Sequence, residues 1–190
     1  MSIEKNQGLT DLLQNEWDLL QAAVITLQLS IIKCQAIGQK DSYSFEELES
    51  FDSLTSKFNR TSDIFTQKVL RTVWMLLHEP FIPFIDMVNK GEKMLILRSA
   101  DAIIEIRDLR NKIAHETSTD LSGIASSMST QQSTAYSTPI FTNEYIPEAI
   151  RDLVPEVIEL TAGLIENIQD CRLFLETRNW IKTTSYDPDL

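Results

Sequence analysis

A chain of 190 residues, 43% of them hydrophobic and 24% charged, is sized for one globular domain and excludes both global disorder and a wholly membrane-embedded body. Five Gly and six Pro are too few for the closely spaced turns of a sandwich or barrel, so long helices are favoured. The formal net charge of -11 opposes non-specific attraction to a polyanion, and any nucleic-acid contact must therefore be local. The start, Met1 to Thr10, is polar and carries Glu4 and Lys5, which does not suit a signal peptide. No uninterrupted run of eighteen apolar residues follows, so a cytoplasmic protein without membrane association is expected. Cys34 and Cys171 have no second Cys or His at ligand spacing, which predicts reduced thiols and no metal or cofactor site.

Leu13, Trp17, Leu20, Val24, Leu27 and Ile31 recur in steps of four and three, the period of a helix with one buried stripe. Thr10 suits its N-cap and Gly38 its stop. Ser44 should open a second helix, with Glu46 and Glu47 in the first turn and Leu48, Phe51, Phe58, Phe65, Val69 and Leu76 on one face. The two should form a long antiparallel pair. Pro80 and Pro83 end the second helix, and Phe84 to Leu97 predicts a short helix broken near Gly91. Ser99 then caps a helix whose buried stripe is Ile103, Ile106, Leu109 and Ile113.

From Thr117 to Thr142 the composition turns to Ser, Thr and Gln without an apolar period, which predicts a polar loop: a cover for a cleft, a partner contact or a disordered insertion. A last helical region carries Ile150, Val154, Val157, Thr161, Leu164, Ile168, Cys171 and Leu175, with Pro147 in its first turn and Pro155 either kinking or restarting it. Trp17 and Trp74 belong to the core, Trp180 is either an interface anchor or packed back, and the tail from Thr183 should fray. The expected fold is a single all-α domain, an up-and-down bundle of four to six helices.

Chemistry concentrates in Arg110-Asn111-Lys112-Ile113-Ala114-His115-Glu116. At about 100° per residue Asn111 and His115 share a face one turn apart, and Arg110 lies on the other side of Asn111, so the three can border one groove. Arginine offers a permanently charged fork for phosphate oxygens, and imidazole exchanges a proton near neutrality. Arg110, His115 and Asn111 are thus the candidate catalytic residues for metal-independent phosphodiester cleavage. Asn111 reads equally as a helix-end residue. Arg71 and His78 have similar spacing but lack the following Asn and the Ala-His-Glu ending.

The run Ile106-Arg107-Asp108-Leu109-Arg110-Asn111-Lys112-Ile113-Ala114-His115-Glu116 resembles the HEPN motif, an Arg followed by four to six residues and a His, and in particular its HepT-like toxin branch. The resemblance implies a HEPN-like bundle and a homodimer whose two Arg–His pairs meet in one cleft and cut RNA. It also implies a cognate antitoxin, a minimal nucleotidyltransferase, in a toxin–antitoxin pair, and no cofactor. The family commonly has a Tyr two positions after the His, where AMP is attached; here Thr117 is the candidate modification site. The alternatives are a non-catalytic HEPN partner that positions a nucleotidyltransferase, and a bundle with neither activity.

Overall fold

The computed structural model describes the backbone of residues 2–128 and 148–182 and the side chains of 6–115 and 151–182. The fold is an all-α bundle, with no strand among the described residues. Its helices are α1 (Ser2–Ile37), α2 (Phe45–Asp63), α3 (Leu70–Leu76), α4 (Phe84–Lys93), α5 (Ala100–Met128) and α6 (Glu148–Thr177). A π-helical segment, Ile64–Val69, joins α2 to α3, so the three make one rod and the described chain has five rods.

Three cross-helix bonds set the direction of the first pair. Cys34 Sγ reaches the Ser50 carbonyl at 3.4 Å, Lys57 Nζ donates to Ser30 Oγ at 3.3 Å, and Thr72 Oγ1 donates to Glu16 Oε2 at 2.7 Å. Numbers fall on one helix as they rise on the other, so α1 runs antiparallel to the α2–α3 rod. On α5 and α6 the same pattern holds, from Arg98–Asp170 at 3.0 Å to Lys112–Glu156 at 3.5 Å. The α2 helix lies centrally, against α1, α5 and α6, while α4 covers α5. Leu13, Leu20, Leu27, Leu54, Phe58, Phe65, Ile103, Ile106, Leu164 and Leu175 are fully buried in one continuous core.

Local chemistry explains the helix ends. Ser44 Oγ accepts the Glu47 amide at 3.3 Å and Glu47 Oε2 accepts the Ser44 amide at 2.9 Å, a reciprocal cap that opens α2. Ser99 Oγ accepts the Ala102 amide at 3.1 Å and opens α5. Gly38, His78, Leu95 and Asn179 all adopt positive φ at helix ends. At His78 the chain closes with His78 N–H to the Met75 carbonyl (3.1 Å) and Glu79 N–H to the Trp74 carbonyl (3.4 Å), the two bonds of a Schellman ending.

Four expectations are corrected. The first helix begins at Ser2, and Thr10 sits inside it, its hydroxyl donating to the Gln7 carbonyl at 2.8 Å instead of capping. Gly91 does not break α4: it is buried, its carbonyl accepts the Ile96 amide at 2.9 Å, and the missing side chain leaves room for Leu97. The α5 helix continues to Met128, so there is no loop over 117–128; the rest of the expected loop lies outside the described residues, as do Pro147 and the tail from Thr183. Pro155 does not restart α6, which is one helix carrying that residue on its exposed side.

By length and composition Asn6–Ile37 would also suit a membrane span. In the bundle one face of this helix supplies core residues, with Trp17 and Leu20 buried. Trp180 packs edge-on to Phe174 with ring centres 6.1 Å apart, which favours the packed-back reading.

Two outcomes test this description. His78→Gly should keep the helicity and lie within about 1 kcal/mol of the parent, because Gly relieves the left-handed backbone but frees the unfolded chain; a urea titration showing a loss beyond about 2 kcal/mol would give that imidazole a role the fold does not show. Burial raises both thiol pKa values, that of Cys171 to about 12, so neither should react with a thiol reagent at pH 8 before unfolding. Rapid native labelling would contradict the burial.

Candidate functional site

Arg107 and Arg110 lie one turn apart on α5, on the side that faces the junction of α2 with the π-helical segment. Ile106 and Leu109, each just before one of these arginines in sequence, are buried and hold this stretch of α5 against the core. The opposing wall departs from an apolar pattern: between Phe58 and Phe65 it carries Arg60, Thr61, Ser62 and Asp63. Three hydroxyls here turn inward and bond their own helix. Thr61 donates to the Lys57 carbonyl at 2.8 Å, Ser62 to the Phe58 carbonyl at 2.8 Å, and Thr66 to the Ser62 carbonyl at 2.7 Å. Such back-bonding loosens the regular ladder, and the ladder widens at this point, with the Leu70 amide bonded to the Phe65 carbonyl five residues back. Single π-turns of this kind occur often at functional sites.

Between the two walls lies an open groove of about 650 Å³. Arg60, Lys68, Arg107 and Arg110 line it together with Asp63 and Asn111, and Leu19, Ile64 and Ile106 supply apolar wall. Asp63 grips Arg110 along one edge, Nε to Oδ1 at 3.0 Å and the terminal nitrogen to Oδ2 at 2.8 Å. The other terminal nitrogen approaches Asn111 Oδ1 at 3.4 Å. The guanidinium is therefore fixed in orientation, with Asp63 along one edge and Asn111 at the remaining terminal nitrogen. The Arg107 guanidinium lies 4.6 Å from the Phe84 ring centre, a cation–π contact that supports this side chain from α4.

Of the expected site residues, Arg110 and Asn111 come together in the groove, both half-buried. His115 is exposed on α5, one turn beyond Asn111 and past the groove lining. Thr117 lies further along α5, its side chain outside the described residues. Asp63, Arg60 and Lys68 were not anticipated. The signal that could have found them is the seven-residue step from Phe58 to Phe65, where a buried stripe skips a turn filled by polar residues. No group of three or more His, Cys, Asp or Glu suited to a metal occurs among the described residues.

The Arg110–Asp63 pair is 35% and 38% exposed, where water screens the attraction. Asp63→Ala should therefore cost at most about 1 kcal/mol in a denaturant titration. A loss above about 3 kcal/mol would make the pair a structural strut, and Arg110 part of the scaffold.

With this geometry in hand, comparison with known proteins finds no family model, no curated protein and no solved structure that matches the chain. The resemblance to the HEPN motif thus rests on the residues from Ile106 to Glu116 alone.

Proposed function

We propose that this protein is a metal-independent ribonuclease of the HEPN type, the toxin of a toxin–antitoxin pair. The observation that carries the reading is the placement of Arg110 and Asn111 on a cation-lined groove, with His115 exposed on the same helix one turn further on. In this reading His115 takes the proton of a ribose 2′-hydroxyl, the oxygen attacks the adjacent phosphorus, and the 5′-oxygen leaves with a proton returned to it. Arg110 stabilises the added negative charge on the phosphorane through the N–H groups that Asp63 and Asn111 leave. The products are a 2′,3′-cyclic phosphate and a 5′-hydroxyl.

The proposal includes a cytoplasmic homodimer in which the two grooves face each other, because two such pairs would enclose an RNA phosphate better than one exposed pair. It also includes a minimal nucleotidyltransferase as cognate antitoxin, with Thr117 on α5 as the candidate modification site. A second reading, a non-catalytic HEPN partner of a nucleotidyltransferase, is favoured by one observation: Asp63 already holds one edge of Arg110.

Growth arrest on expression separates the two. Purified protein should cleave RNA in the presence of a chelator, and His115→Ala or Arg110→Ala should lower the rate by about a hundred- to ten-thousandfold while leaving the oligomer and the helicity unchanged. Parent-like cleavage by folded His115→Ala would remove the catalytic assignment. Absence of both arrest and cleavage in the parent would put the partner reading first.

A further inference from the structure

Arg60 and Lys68 stand on either side of Asp63 along the α2–π rod, and Arg107 stands one turn before Arg110 on α5. All three line the Arg110 groove and are exposed. None has a carboxylate within ion-pair distance among the described residues, in a chain whose acids outnumber its bases by 28 to 17. Some cations of the chain are paired, as Lys112 is with Glu156 and Arg98 with Asp170, and others such as Arg71 have no such partner among the described residues; what distinguishes these three is that they line one groove. Three unpaired cations around one groove raise its potential locally, against the repulsion of the rest of the surface.

We infer that Arg60, Lys68 and Arg107 form a phosphate-binding rail that carries a single strand of RNA across Arg110. The inference rests on the ribonuclease reading for the identity of the polyanion and on the groove for the residues. The charge of Arg110 is already paired with Asp63, so the charge that holds a strand comes from the other three. The half-buried Leu19 and the exposed Gln67 amide suit the face and edge of an unstacked base. A groove of about 650 Å³ admits a strand a few nucleotides at a time, whereas a duplex keeps its bases paired and presents only its outer backbone.

The test separates binding from cleavage by using full-length His115→Ala, with fluorescein-labelled 12-nucleotide single-stranded RNA and a hairpin duplex of equal charge, followed by anisotropy between 50 and 200 mM salt. Three phosphates neutralised on a single strand give a slope of log affinity on log salt of about -2. Replacing all three rail residues with Gln should bring the slope close to zero and weaken binding at least tenfold at 100 mM salt. If that triple variant loses helicity, Arg60→Glu, Lys68→Glu and Arg107→Glu are measured singly, each expected to reduce the slope by about 0.7 or more.

Unchanged affinity and slope in the folded variants would overturn the rail. So would equal affinity for the duplex, or no RNA binding by His115→Ala at 50 mM salt. Strand binding that needs the rail, with no cleavage by the parent, would leave the rail standing and remove the ribonuclease reading. Cleavage unaffected by rail substitutions would do the reverse.

Discussion

The side chain of Asn167, 1% exposed on α6, accepts the backbone amides of both Arg98 and Ser99, at 3.0 and 3.1 Å, while its own amide donates to the Gly163 carbonyl at 2.8 Å. Amides just before a helix have no partner within it, and a buried one left unmet costs about 1–3 kcal/mol. Asn167 meets two at once and so fixes where α5 begins relative to α6. Slippage of α5 by one residue would turn every side chain by about 100° and carry Arg110 away from Asp63. The groove is thus a consequence of a register set about three turns distant.

Electrostatics at this groove are a matter of distance. The excess negative charge of the whole chain acts through a screening length of roughly 8–10 Å, while groups lining one groove act on each other at much shorter range. A locally positive surface can therefore persist on a strongly acidic protein. Asp63 adds an element of order: by gripping one edge of Arg110 it restricts the orientations open to the guanidinium.

Periodicity made the interior readable. The stripes from Ile103 to Ile113 and from Val154 to Leu175 are buried in the core, and so is that from Leu13 to Leu27 except for the half-buried Val24, because repetition at three and four records a helix face directly. Where no apolar residue recurs, the rule is silent: Ser2 to Leu9 and Ser118 to Met128 are helical without a stripe, and their composition read as caps and loop. Gly91 misled because breaking a helix and permitting close packing use the same residue. Within the candidate site, Arg110 and Asn111 could be placed from one helix, but Asp63 comes from 47 positions away. Such a pairing depends on packing α2 against α5, which no local pattern encodes.

The π-turn has a bearing on how the rod tolerates change. Six residues, Ile64–Val69, take up one more position than a regular helix would, and each extra position advances the phase by about 100°. Deleting a single residue there would let the segment relax to an ordinary α-helix. Everything C-terminal to it, including Val73, Trp74 and Leu76 with their buried faces, would then stay in phase with everything N-terminal to it, because the wide turn had absorbed the residue removed. The rod therefore behaves like a text with a compensated frameshift, in which the irregular stretch is what keeps both halves in the same reading frame, and loss of one residue should be better tolerated within it than in the regular helix on either side.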